Sequence, residues 1–355
     1  MLKPRKRTLT VFRCRWFPLG LIVLLAGIGQ VNAKDAIPEI VVTGLSNPSG
    51  VVIQPNTGHV FVADSGAGRI VRVVDGTVEA VITDFPADRY GANPAYKIGP
   101  LGLLFLDEKT LVVGGGGLPD GKDLLRVFKV PSVGEKAIKA SEVFSKALLA
   151  GHDKGKQPGE GNFYGLAQCN AGIFVTCNSG DNTKGWVSLA TLGSDNRIKK
   201  FSRSIATKVT TTDDAPVAIT TSPEQYLAVG QMGSVADKQD SLLAFYSQAG
   251  TKLSVFETGL NDITGLDYGP RYGRLFAVDF NWANPQQGGL YKLVKMKSET
   301  ACESVLISRL ERPTALVFTD SGDCYITLAG STKPADGKPD GKLVIIRQLD
   351  IAPNQ

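Results

Sequence analysis

The chain has 355 residues, 43% of them hydrophobic, with a formal charge of +5, five cysteines and only two histidines, His59 and His152. Two histidines exclude a multi-histidine zinc site of the usual kind. The basic excess comes from the first 33 residues: removing their six Lys and Arg from 39 leaves 33 against 34 Asp and Glu, which excludes the basic footprint of a nucleic-acid binder.

The pass along the chain begins with that leader. Residues 1–15 carry Lys3, Arg5, Lys6, Arg7, Arg13 and Arg15 and no acid, residues 17–28 are apolar, and Val31-Asn32-Ala33 ends in small residues. This three-part order predicts a signal peptide over 1–33, cleaved after Ala33. The apolar stretch is short for a membrane span, which needs about 20 residues. The remainder, 34–355, is therefore expected to be secreted or periplasmic, with no membrane span after signal removal. Cys169, Cys177, Cys302 and Cys324 remain in it. Cys169 and Cys177 sit at opposite ends of one predicted hairpin, too far apart to bridge. A Cys302–Cys324 bridge between adjacent repeats is geometrically conceivable.

Six degenerate repeats follow, starting near Asn47, Gly99, Asn162, Ala215, Asp262 and Arg312. Each opens on an apolar strand with a small residue three positions on: Gly50, Gly102, Gly165, Ala218, Gly265 and Ala315. A turn with Gly, Asn or Asp follows, then a β-branched and aromatic strand such as HVFVAD or RLFAVD, suited to a buried pleated surface. The spacing of about 50 residues and the alternating short strands predict an all-β fold, a six-bladed β-propeller. Residues 137–150 look helical, and EVFSKAL within them is read as an outer strand. The sixth repeat stops after its third strand, so residues 39–43 are expected to supply its outer strand and close the ring, removing two sheet edges.

The first repeat, VFVADSGAGRIVRV, resembles an NHL repeat, and the fifth and sixth are more loosely similar to the SMP-30/gluconolactonase and soluble quinoprotein dehydrogenase propellers. The resemblance implies the fold. In it, Asp64 and Asp279, which end second strands, cap the turns that follow. Lactonase-like relatives hold a metal with Glu, Asn and Asp on the loops leading into inner strands. Here those places offer Asn47, Asn162 and Asp262, oxygen donors suited to Ca²⁺, with no glutamate in the first. Quinoprotein relatives use a histidine beside an inner strand, where this chain has Phe163-Tyr164-Gly165.

Those loops and the loops between second and third strands share one face of a propeller. Tyr90, Tyr96, Tyr164, Trp186 and Trp282 are expected there, with Arg312, as a surface for a glycan, peptide or protein. With no histidine placed as a general base, the main expectation is a non-catalytic binding module. The alternatives are a Ca²⁺-dependent lactonase-like hydrolase or a quinoprotein-like oxidoreductase.

Overall fold

The computed structural model describes residues 36–350 apart from 92–94, 120, 152–158, 179–183, 214, 237–238 and 296–299. The expected leader and His152 therefore lie outside the described residues. Six antiparallel sheets form the blades of a β-propeller, each running from an inner to an outer strand. Blade 1 runs through Pro48–Ile53, Val60–Asp64, Arg69–Val74 and Thr77–Thr83, and blade 2 through Pro100–Asp107, Thr110–Gly115, Leu125–Lys129 and Ser145–Ala147. Blade 3 is Phe163–Cys169, Gly172–Cys177, Trp186–Leu192 and Ile198–Ala206, and blade 4 is Pro216–Thr221, Leu227–Gln231, Leu242–Tyr246 and Lys252–Glu257. Blade 5 is Ile263–Tyr268, Leu275–Asp279, Gly289–Lys295 and Cys302–Arg309.

Blade 6 takes Pro313–Phe318, Cys324–Leu328 and Gly341–Ile346 from the end of the chain and Glu39–Leu45 from its start. Glu39 pairs with Ile345 and Leu45 with Gly341. The closure expected from the truncated sixth repeat is present. The 137–150 segment also resolves into strand: Ile138–Lys139 adds in parallel to the edge of blade 1, and Ser145–Ala147 is the outer strand of blade 2. Two elements escape the repeat pattern, a hairpin of Asp88–Tyr90 with Tyr96–Ile98 and a short helix, Thr207–Thr211.

The core lies between blades, where facing sheets bury Val, Leu, Ile and Phe. Phe61, Leu103, Leu111 and Phe128 join blades 1 and 2, and Phe276, Leu316, Ile326 and Val344 join blades 5 and 6. Inner strands are also tied by hydroxyls. Ser49 Oγ donates to Pro100 O at 3.1 Å, Thr176 Oγ1 to Val217 O at 2.7 Å, Thr264 Oγ1 to Pro313 O at 2.9 Å, and Thr314 Oγ1 to Pro48 O at 2.7 Å. The last of these seals the first blade to the sixth.

The small residue of each repeat has a specific cause. A Cβ on Gly50 would stand 2.2 Å from Leu101 O, one on Gly102 2.3 Å from Tyr164 O, and one on Gly165 2.6 Å from Val217 O. The limit is the backbone carbonyl of the next inner strand, not crowding at the axis. All four described cysteines are free and buried. Cys302 packs between blades 4 and 5 and Cys324 between blades 5 and 6, so the conceivable bridge is absent: the two thiols serve different inter-blade cores.

Candidate functional site

One face of the propeller carries a small cup over the central channel. Its floor is a ring of six side chains, one per blade, each immediately before the small residue: Ser49, Leu101, Tyr164, Val217, Thr264 and Thr314. Above the floor stand Asn47, Asn162, Asn178, Tyr90, Tyr96, Phe280 and Trp282. The cup holds about 70 Å³, room for about five waters. Below the floor the channel widens to about 300 Å³ between the inner strands.

Tyr164 separates the two spaces. Its hydroxyl crosses from blade 3 to blade 6 and donates to Thr314 O at 3.0 Å. Burial pushes its phenol well above the ordinary range, so it acts as a neutral donor. The wall is a nest of aromatic edges: Trp282 lies 5.1 Å from Phe280, 5.5 Å from Tyr96 and 6.4 Å from Tyr90. Tyr90 Oη reaches Asn178 Oδ1 at 3.3 Å. Tyr90 and Tyr96 belong to the hairpin that the repeat pattern does not contain, which lays them over the cup.

The loops leading into the inner strands are set by carboxylates. Asp64 accepts from Ser46 N at 2.6 Å and Arg69 Nε at 2.7 Å. Asp279 accepts from the backbone nitrogens of Asn261, Asp262 and Asn281 and from Asn261 Nδ2. Asp279 caps the turn that follows it, through Asn281 N, as expected; Asp64 does not, making no capping bond to its following turn and holding the Ser46 loop and Arg69 instead. The long loops of blades 2, 4 and 6 are closed by the same device at their last aspartate: Asp123 accepts from Leu118 N, Asp240 from Ser234 N and Asp340 from Ser331 N.

Asp262 is different. It is 2% exposed, its Oδ2 accepts from Trp282 N at 2.5 Å, and its Oδ1 has no hydrogen-bond partner in the protein. Burial, reinforced by Asp279 and Asp240, raises its carboxyl to about 7, although the Trp282 N–H pulls the other way. Asn47 and Asn162 occupy the equivalent places on blades 1 and 3 and line the cup. Each adopts a left-handed backbone, φ 46° and 50°, which asparagine tolerates better than most residues. Their amide nitrogens donate to Lys97 O and Asn178 O. Arg312 holds the corresponding place on blade 6 with φ 53°. It lies beside Tyr96, whose hydroxyl is raised by burial while Arg312 opposes the rise.

Of the side chains expected on this face, Tyr90, Tyr96, Tyr164 and Trp282 come together. Trp186 does not join them. It opens the third strand of blade 3, packs into the core between blades 2 and 3 and is flanked by Lys184 and Arg203. His59 lies at the first hairpin of blade 1, outside the cup lining. Sequence reasoning missed Asn178 and Phe280, which directly follow second strands. Among the described residues, no cluster of three His, Cys, Asp or Glu side chains is arranged for a metal. A cation here would depend on amide oxygens beside a single carboxylate.

No family profile and no curated protein matches the chain. Solved structures do. A putative gluconolactonase aligns over 88% of this chain and 92% of its own, with a TM-score of 0.54 at 13% identity. A gluconolactonase from Xanthomonas campestris aligns over 88% and 90%, also with a TM-score of 0.54 at 13% identity. A glucose dehydrogenase aligns over 87% and 99%, with a TM-score of 0.56 at 13% identity. The chain thus shares the six-bladed propeller of the gluconolactonase-type enzymes, as the repeats had implied; identity this low shows the fold alone. The expectation of a non-catalytic binding module is overturned, because these neighbours are enzymes. Its premise, the want of a histidine base, was too narrow, since a carboxylate can also serve as a general base.

Proposed function

We propose that the chain is an exported hydrolase of lactonase type, opening a small sugar-derived cyclic ester in the cup with the help of Ca²⁺. The observation that carries this reading is Asp262: a carboxylate oxygen buried behind the cup with no partner in the protein. Asn47 and Asn162 stand at the equivalent positions of alternate blades with their amide nitrogens already committed. Their oxygens and Asp262 Oδ1 are of the chemical kind that a hard cation takes. The names of the structural neighbours support the substrate class. The leader pattern supports export to the periplasm or the exterior.

Within this reading, Asp262, Asn47 and Asn162 would hold Ca²⁺, which would supply a Lewis acid for the ester carbonyl. The protein does the rest. Trp282 N fixes the orientation of the Asp262 carboxylate, and Asp279 ties together the two loops that carry them. Trp282 and Tyr90 offer ring edges and faces to the C–H surface of the sugar. Tyr164 sets the depth to which the substrate enters. A quinone-dependent oxidoreductase has less support, because the inner strand of blade 3 carries Phe163-Tyr164-Gly165 where quinoprotein relatives use a histidine.

With one carboxylate in the set, Ca²⁺ affinity is expected in the weak range of about 10⁻⁴–10⁻³ M typical of extracellular modules. Calorimetry with CaCl₂ tests this on the wild type and on Asp262→Asn, alongside hydrolysis of a panel of aldonolactones with and without Ca²⁺. Binding and Ca²⁺-stimulated turnover should both disappear in the variant. A wild type that neither binds millimolar Ca²⁺ nor opens any lactone would end the reading.

A further inference from the structure

The loop leading into the inner strand takes a left-handed backbone at Asn47, Asn162 and Arg312. In blades 1 and 6 that residue also precedes a proline, Pro48 or Pro313. This backbone is sterically poor for a residue with a long side chain, and a following proline restricts it further. Asparagine relieves the first difficulty in blades 1 and 3, and blade 6 forgoes that relief. Arg312 is held in this conformation by Ala329 N, which donates to its carbonyl at 3.0 Å. The backbone therefore gives no reason for an arginine here, and the side chain must supply one.

The surroundings of the guanidinium suggest what it does. Its Nη1 pairs with the carboxylate of Glu311, and its Nε is buried with no acceptor in the protein. A fifth of the side chain stays open to solvent. The hydroxyl of Tyr96 is also buried, and the group it approaches is the Arg312 guanidinium itself, in a contact outside good hydrogen-bond geometry. Tyr96 lines both the cup and a neighbouring cavity of about 230 Å³, which also carries Asn47, Arg89 and Lys97. The acids facing this corner are Glu311 and Asp340, and an Asp340 oxygen is occupied by Ser331 N. Arg89 and Lys97 of that cavity add two cations to Arg312, against two acids that are both engaged, Glu311 by Arg312 and Asp340 by Ser331 N.

We propose that Arg312 and Tyr96 form a carboxylate-recognition corner at the mouth of the cup, which takes the acid group of a small hydroxycarboxylate. The corner deepens the lactonase reading, since ring opening of a lactone yields such a group. It rests on the cup as the binding place and not on the hydrolysis. Glu311 is the internal competitor for the guanidinium that a ligand carboxylate must displace or share.

Sodium D-gluconate is the probe, glucose its neutral counterpart, and binding is read by calorimetry on the full chain. Wild type should bind gluconate more tightly than glucose. Arg312→Asn should weaken gluconate by about tenfold or more, the loss of a charge-assisted contact, with glucose unchanged. Because asparagine suits the backbone, its melting temperature should hold or rise. Tyr96→Phe should weaken gluconate less, and Glu311→Gln should tighten it. The proposal fails if wild type prefers glucose or binds neither, if Arg312→Asn keeps its gluconate affinity, or if that variant melts several degrees lower. Gluconate binding without any lactone turnover would remove the hydrolase reading and leave this corner standing.

Discussion

Replacing Gly102 by alanine is the sharpest test of how the inner strands are assembled. The new Cβ would lie 2.3 Å from Tyr164 O and 3.0 Å from the side chain of Leu166. The first contact is with backbone, so no rotamer change relieves it; blades 2 and 3 must part. Overpacking a core ordinarily costs about 1–3 kcal/mol, and a rigid carbonyl places this case at the top of that range. At about 2 °C per kcal/mol for a domain this large, the melting temperature should fall by roughly 6 °C. Gly50→Ala and Gly165→Ala should behave alike, at 2.2 and 2.6 Å from carbonyls of the next strand. Gly265→Ala should cost less, because its nearest contacts are methyls of Val278 and Leu316 at 2.8 and 2.9 Å, which can turn aside. Urea unfolding of the four variants orders them. Equal losses at all four positions, or a loss below about 1 kcal/mol for Gly102→Ala, would refute the carbonyl as the cause.

Tyr164→Phe removes the bond across the channel to Thr314 O and should cost about 1 kcal/mol; an unchanged urea midpoint would show that the bond contributes nothing. Asp279→Ala strands the four donors that converge on it and should cost roughly 3 kcal/mol. Asp240→Ala, with one such donor at an exposed loop, should stay within about 1 kcal/mol in the same assay. Burial raises the Asp267 carboxyl from the ordinary 3.8 to about 6, against the pull of Phe318 N and Tyr268 N. The folded state then holds this proton more tightly than the unfolded chain. The stability it contributes is full below about pH 4 and is lost as pH rises through 6, amounting to roughly 3 kcal/mol. A carboxyl ¹³C titration with a midpoint below 4.5 would contradict it.

The blades were legible because each inner strand carries a small residue at fixed phase, set against the neighbour's carbonyl in blades 1 to 3 and against side chains of Val278 and Leu316 in blade 5. The closing strand was legible by subtraction, since a sixth repeat with three strands leaves one to be found. The cup was legible in part. Tyr164, Asn47 and Asn162 sit at repeat-anchored positions, whereas the Asp88–Tyr90/Tyr96–Ile98 hairpin interrupts the repeat with strands of three residues, too short for any period to register. Trp186 shows the limit of assigning side chains by loop. It opens a strand, paired with Cys177 and Ala206, and its ring goes to the core beside two cations. Sequence position groups Asp262 with Asn47 and Asn162, before inner strands, and Asp64 with Asp279, at the ends of second strands. Only the hydrogen bonds separate a carboxylate that caps a turn from one that retains an unclaimed oxygen.

The seal between Glu39–Leu45 and Gly341–Ile346 joins the first described strand of the chain to the last. Such a long separation makes closure entropically expensive and late. Until it happens, blade 6 has three strands and both it and blade 1 expose apolar faces. The propeller therefore has no stable intermediate ring, and a chain cut short before residue 341 would leave a sticky, open arc instead of a smaller propeller. Formation of the cup and completeness of synthesis are thus coupled: the cup, whose floor needs Thr314 opposite Tyr164, exists only once the whole circle does.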